Sequence, residues 1–71
     1  MELSNDLLLL NDKEISVAKL IAEGKNNREI GTEVNLSHRT IERYKEVIMK
    51  KLGCRTVAQA IAKCIRVGII A

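Results

Sequence analysis

The sequence has no proline, tryptophan or phenylalanine, and its 71 residues include a single aromatic residue, Tyr44. The β-branched residues stand mostly isolated among Glu, Lys, Ala, Leu and Asn, a composition that favours helices over a sheet. A chain this short permits one small domain with a marginal core, because it buries only about 60% of its unfolded surface. We therefore predict an all-α protein, and most catalytic scaffolds are excluded.

Cysteine and histidine are also scarce. Cys54 and Cys64 stand ten positions apart without a C-x-x-C pair, and His38 is the only histidine. These residues cannot compose a zinc site or a disulfide framework, so we expect no metal and two reduced, packed cysteines. The chain also lacks a Gly-rich phosphate loop and a paired acid and base. We expect neither a cofactor nor an enzyme.

Long apolar runs are missing too. The one such run, residues 7–10, is far below the roughly 20 residues that span a bilayer, and no basic segment or cleavage site accompanies it. We expect no membrane association and a cytoplasmic protein.

Charge is present but unevenly distributed around a formal net value of +3. Residues 1–35 carry four basic against seven acidic groups, a net charge of −3, whereas residues 36–71 carry eight against two, a net charge of +6. A basic half in a small helical domain suggests a polyanionic partner such as double-stranded DNA. Many solvated helices have similar charges, so this pattern alone does not decide the function.

The first helix is predicted over residues 12–23. Asn11 and Glu14 have the spacing of a capping box, and Gly24 supplies a left-handed stop. One apolar stripe is expected to face the core, and it consists of Ile15, Ala18, Ile21 and Ala22.

Two more helices follow, over residues 28–34 and 39–52, with Asn35 in the turn and Ser37 as N-cap. The third helix divides sharply into two faces at 100° per residue. Its core face consists of Ile41, Tyr44, Ile48 and Leu52. Its charged face consists of Arg39, Glu42, Arg43, Glu46 and Lys50.

A fourth helix, capped by Thr56 and running to residue 67, is apolar around most of its circumference. A three-helix core cannot cover that much apolar surface. We expect a two-fold dimer through this helix. The alternative is a helix sunk in the core, with residues 7–10 folded across it.

Residues 27–46 match the helix-turn-helix pattern position by position. Gly31 is the very small residue where the two helices meet, and Asn35 accepts positive φ in the turn. The core positions of the pattern hold Ile30, Val34, Leu36, Ile41 and Tyr44.

A longer stretch closely resembles the LuxR/GerE family of bacterial DNA-binding domains. The resemblance lies in L-N-D-K-E-I-S-V-A-K-L-I-A-E-G-K-N-N-R-E-I-G, L-S-H-R-T-I-E-R-Y and K-K-L-G-C-R-T-V-A-Q-A-I-A. It implies a four-helix domain over residues 10–71 whose third helix enters the major groove, whose C-terminal helix pairs two copies and whose output is transcriptional control on the nucleoid. With residues 1–9 as a short N-terminal extension, the chain resembles the small stand-alone regulators of the family.

The resemblance also implies roles for individual residues. The base-reading positions fall on Glu42, Arg43, Glu46 and Lys50. The phosphate-contacting positions fall on Asn27, Arg28, Ser37, Thr40 and Lys45, and Arg39 is assigned with them. The dimer face falls on Val57, Ala58, Ile61 and Cys64, and Ile65 is assigned with it.

The chain departs from the family at Glu42, where the family commonly has Lys, at Glu46, where it has a basic or neutral residue, and at Tyr44, where it usually has His. Two carboxylates four positions apart repel each other and face the phosphates, so they are costly unless they accept hydrogen bonds from cytosine. The alternative is a solvated face, in which Glu46 pairs with Lys50 and Glu42 with Arg39 or Lys45. Tyr44 is interpreted as a core and rim residue.

Two functions follow from these patterns. The first is a dimeric, sequence-specific transcriptional regulator that binds double-stranded DNA. The alternative is a protein-interaction module that kept the fold, and whose fourth helix captures a larger regulator of the same family or whose acidic recognition face contacts RNA polymerase.

Overall fold

The computed structural model describes residues 10–70, which form four helices and no strand. They are α1 (Asp12–Ala22), α2 (Asn27–Val34), α3 (His38–Leu52) and α4 (Val57–Arg66). The all-α prediction is confirmed, and each predicted helix end lies within one residue of the observed end. The predicted N-terminal extension, residues 1–9, lies outside the described residues.

Every helix begins with a side-chain cap, and the four N-cap residues are Asn11, Asn26, Ser37 and Thr56. The predicted capping box of α1 is present: Asn11 Oδ1 accepts a hydrogen bond from Glu14 N at 2.8 Å, and Asn11 N donates to Glu14 Oε1 at 2.9 Å. A second capping box, between Asn26 and Glu29, starts α2. Such caps contribute about 1 kcal/mol each, which matters in a domain this small.

One core collects apolar side chains from all four helices. Its buried members in the helices are Val17, Ala18, Ile30, Ile41, Ile48, Leu52, Ala60 and Cys64. The predicted stripe of α1 was wrong at one end, because Ala22 is exposed while Val17 is fully buried. Glu14 occupies a core-facing position one turn before Val17, so apolar periodicity alone misplaces the stripe by part of a turn.

The ends of the described chain add cover to the core. Leu10 is buried before α1, and Gly68, at φ 85°, turns the chain back after α4. Ile69 N and Ile70 N then both donate to Cys64 O, at 2.8 and 3.3 Å, and both side chains are buried. These residues cover part of the apolar surface that the helices alone would leave exposed.

Within residues 10–70, every helix is too short or too polar to cross a membrane.

Candidate nucleic-acid interface

The turn between α2 and α3 is fixed by its backbone. Asn35 adopts the left-handed conformation, with φ 63° and ψ 44°, as its place in the pattern predicts. Leu36 N donates to Gly31 O at 2.8 Å, and Ser37 Oγ accepts from Thr40 N at 3.1 Å. The orientation of α3 relative to α2 is thus set by hydrogen bonds between residues that are no more than five positions apart in the sequence.

Gly31 lies where the two helices meet. A Cβ atom at this position would lie 2.5 Å from Leu36 O, a backbone atom that cannot rotate away. The hydrogen bond from Leu36 N to Gly31 O also holds these two residues close together. The small residue that the pattern requires is therefore needed for the close approach of the turn to α2.

Helix α3 presents one buried and one charged face. Ile41, Ile48 and Leu52 are at most 3% exposed, and Tyr44 is half-buried against the core. The predicted charged residues are all exposed, namely Arg39, Glu42, Arg43, Glu46 and Lys50. At a rise of 1.5 Å per residue, this face extends for about 16 Å along the helix. An α-helix is about 10–12 Å in diameter with its side chains, so this face can enter a major groove about 12 Å wide.

Within residues 10–70, one side-chain contact lies along the charged face. His38 Nε2 lies 3.1 Å from Glu42 Oε2, one helical turn away. The sequence had left open a pair between Glu42 and Arg39 or Lys45, yet within residues 10–70 no nitrogen of either residue lies within 4.0 Å of the carboxylate. The alternative partner of Glu42 was therefore wrong, and the side chain in contact with its carboxylate is that of His38.

Glu46 makes no ion pair with Lys50 in the described part of the chain. Its carboxylate is exposed on the same face as Glu42, one turn further along α3. The Glu46 carboxylate is thus available to a partner that donates hydrogen bonds, and the alternative pairing of Glu46 with Lys50 was wrong.

The predicted phosphate-contacting residues lie at the N-terminal ends of α2 and α3 and along the side of α3. Arg28, Ser37 and Arg39 are exposed, whereas Asn27, Thr40 and Lys45 are half-buried. The hydroxyls of Ser37 and Thr40 lie 2.8 Å apart. Asn27 Oδ1 is buried and has no hydrogen-bond partner within residues 10–70.

A part-buried ion pair at the edge of the core joins α3 to α1. Lys51 Nζ donates to both carboxylate oxygens of Glu14, at 2.9 and 3.0 Å, and the Glu14 side chain is only 6% exposed. At the end of the same helix, Lys63 Nζ of α4 donates to Leu52 O at 3.2 Å. These two contacts fix the position of α3 relative to α1 and α4.

Comparison with known families decides what kind of helix-turn-helix domain this is. The family described as bacterial regulatory proteins, luxR family, matches residues 8–64. The chain belongs to the LuxR family. It is a helix-turn-helix DNA-binding domain of that family, and the resemblance seen in the sequence is confirmed.

Several LuxR-family relatives are longer proteins. The uncharacterized response regulatory protein YgeK of Escherichia coli K12 is 37% identical over 60 residues, which are 84% of this chain and 41% of YgeK. The DNA-binding transcriptional activator EvgA of the same strain is 38% identical over 68% of this chain and 24% of its own length. The transcriptional regulatory protein DesR of Bacillus subtilis is 35% identical over 76% of this chain and 27% of its own length. The chain thus spans less than half the length of these relatives. No solved structure shows a significant match.

Four of the five residues assigned to the dimer face lie at least partly at the surface of α4. Ala58 and Ile65 are exposed, with Ile65 at 50%, and Val57 and Ile61 are half-buried. Cys64 is fully buried in the domain's own core, so its assignment to the dimer face was wrong. Cys64 lies on the side of α4 that also carries buried Ala60, whereas Ala58 and Ile65 lie about 100° or more away around the helix and Ile61 lies between the two sides. Burial, with the nearby Cys54, raises the pKa of the Cys64 thiol, which fits the expected packed, reduced cysteine.

Three contacts were not predicted from the sequence. The pair of Glu14 and Lys51 joins residues 37 positions apart, and no local pattern reveals such a contact. The bond from Lys63 to the end of α3 is equally non-local. The pair of His38 and Glu42 has i,i+4 spacing, and that spacing could have revealed it.

Proposed function

We propose that this LuxR-family domain is a sequence-specific transcriptional regulator that binds double-stranded DNA as a homodimer, with α3 in the major groove. The observation that carries the proposal is the exposed charged face of α3, which begins directly after the hydrogen-bonded turn of the helix-turn-helix. Relatives named as a transcriptional activator and a transcriptional regulatory protein support the same function.

Base reading is assigned to the centre of the exposed face. Arg43 donates to guanine O6 and N7, while Glu42 and Glu46 accept from cytosine N4, and Lys50 reaches the next base pair. Because carboxylates repel phosphates, the acidic pair selects for cytosine at fixed positions and disfavours sequences without it.

Phosphate contacts hold the domain in register on the duplex. Arg28, Arg39 and Lys45 supply positive charge, and Asn27, Ser37 and Thr40 supply polar groups at the starts of α2 and α3. Helix N-termini favour anions, because their backbone N–H groups and the helix dipole point at the ligand. These contacts give affinity without sequence preference.

The dimer forms through the face of α4 that carries Ala58, Ile61 and Ile65. Ile65 is the large apolar side chain that residues 10–70 leave most exposed, and small alanines beside it permit close helix packing. A two-fold dimer of this kind reads two half-sites about 34 Å apart, so the operator is expected to be a palindrome.

The test is a selection of operator sequences from a random duplex pool, followed by binding measurements with two variants. Arg43→Ala should relax preference at one base pair of each half-site, at a cost of about 1 to 3 kcal/mol for the selected operator. Lys45→Ala is the matched control, since it removes a charge two residues away and should weaken selected and scrambled duplexes alike. An unchanged site preference in Arg43→Ala would refute the assignment.

A second candidate function is a protein-interaction module, favoured by the exposed Ile65 and by the two carboxylates on the recognition face. In this role α4 pairs with a larger LuxR-family regulator and keeps it in an inactive mixed dimer. Mixing the chain with such a regulator, followed by size-exclusion chromatography with light scattering, tests the idea. The absence of a mixed species would remove this candidate.

A further inference from the structure

One apolar side chain lies beside the charged face of α3. Val47 follows Arg43 by four positions and precedes Lys50 by three, so these side chains form one row along the helix. Val47 is half-buried, and it lines a shallow cleft that Arg43 and Tyr44 also line. An apolar group is therefore placed next to two of the residues proposed to read bases.

The core of the domain does not account for Val47. Most half-buried apolar side chains of residues 10–70 pack against the core, and Tyr44 and Met49 of the same helix are among them. Val47 and Val57 are the two that do not. Val57 is one of the residues assigned to the dimer face, which gives its apolar side chain a partner. The Val47 side chain is left available to an apolar group of whatever binds the face of α3.

Building on the proposed function, we propose that Val47 is a specificity-determining residue that contacts the C5-methyl group of a thymine. Thymine is the only base that presents an apolar group in the major groove, whereas the charged residues of α3 can recognise only hydrogen-bonding groups. Four residues of helix cover a rise of about 6 Å, and stacked base pairs are about 3.4 Å apart. The thymine is therefore expected within two base pairs of the guanine that Arg43 reads.

The expected effect follows from the size of a methyl group. Removing one apolar group of this size from water changes an equilibrium constant about fourfold. Loss of the thymine methyl should therefore weaken binding about three- to fivefold for each half-site.

The experiment uses the operator selected by the wild-type protein. Each thymine of one half-site is replaced in turn by deoxyuridine, which lacks only the C5-methyl group and keeps every hydrogen-bonding group. Fluorescence anisotropy then compares each modified duplex with the parent duplex. One replacement should weaken wild-type binding about three- to fivefold, whereas Val47→Ala should bind the same two duplexes within about 1.5-fold of each other.

The comparison is a ratio for one protein on two duplexes, so any unfolded fraction of a variant cancels. Val47→Ala should also fold, because alanine has a higher helix propensity than valine and Val47 does not pack against the core. Changes in duplex shape caused by deoxyuridine are the same for both proteins and cancel as well. Lys45→Ala is the matched control, since it alters a residue two positions away and should keep the full wild-type discrimination against deoxyuridine.

The possible failures separate this inference from the proposed function. If the wild-type protein bound every deoxyuridine duplex as tightly as the parent, or if Val47→Ala kept the full discrimination, the inference would be overturned and sequence-specific binding would stand. A loss of discrimination in Lys45→Ala equal to that in Val47→Ala would overturn it in the same way. Failure of the wild-type protein to select any operator would overturn the proposed function and the inference together.

Discussion

The ion pair between Lys51 and Glu14 should be the largest single polar contribution to the stability of this domain. We consider Lys51→Met, which keeps the length and apolar character of the stem and removes the charge. Two hydrogen bonds are lost, at 2.9 and 3.0 Å, and the carboxylate keeps only the bond from Asn11 N at 2.9 Å. A largely buried carboxylate is then left with one partner.

The expected cost follows from burial. Removing one partner of a fully buried pair typically costs about 3 to 5 kcal/mol, because the remaining charge is uncompensated. The Lys51 side chain is 34% exposed, which lets water approach the remaining carboxylate, so we expect a smaller loss. We estimate about 2 to 3 kcal/mol, out of a total stability of about 4 to 10 kcal/mol for a domain of this length.

The assay is urea unfolding followed by circular dichroism, with thermal unfolding as a second measurement. The loss corresponds to a fall in Tm of roughly 10 to 20 °C for a domain of this size. Lys50→Met is the matched control, because Lys50 is the preceding residue, exposed, and without an ion pair in the described part of the chain. It should change the free energy of unfolding by no more than about 0.5 kcal/mol.

A double-mutant cycle with Glu14→Gln isolates the pair. Glutamine keeps an oxygen for Asn11 N, so the cap of α1 survives while the charge is lost. The coupling energy between Glu14 and Lys51 should be about 1 to 2 kcal/mol. If Lys51→Met and Lys50→Met were equally stable, or if the coupling energy were zero, the role given to this ion pair would be refuted.

Three further predictions concern the turn, the cysteines and α4. Gly31→Val should cost more than about 2 kcal/mol in urea unfolding, because even its Cβ would lie 2.5 Å from Leu36 O; an unchanged midpoint would contradict the close approach. Iodoacetamide at pH 7.5 should label Cys54 well before Cys64, since burial raises the pKa of the Cys64 thiol and leaves less thiolate; equal rates would contradict this order. Ile65→Lys should shift the chain toward monomer in analytical ultracentrifugation, and an unchanged dimer would move the interface away from that face of α4.

The local parts of the fold were predictable from the sequence because their causes are local. Asn11, Ser37 and Thr56 were recognised as caps from their residue type and place, and all three cap helices. The positive φ of Asn35 follows from the turn pattern in the same way. The two faces of α3 were predicted correctly, because a helix with one apolar and one charged side can pack against the core in only one orientation.

The errors arose where a residue's surroundings come from distant parts of the chain. Cys64 was assigned to a dimer face because α4 is apolar almost all round, and periodicity cannot tell which apolar side meets the domain's own core. Ile69 and Ile70 cover part of that core after the turn at Gly68, and no short pattern predicts such a return. The stripe of α1 was misplaced because buried Glu14 depends on Lys51, a partner 37 positions away.

The claim that α3 and its flanking cations bind DNA is tested most directly by the salt dependence of binding to a mixed-sequence duplex. Arg28, Arg39 and Lys45 give three phosphate-neutralising groups per copy. The plot of log K against log salt should be linear, with a slope of about −5 for a bound dimer and about −3 for a single copy. A slope near zero, or no binding even at low salt, would contradict the account and direct the search to protein partners of α4.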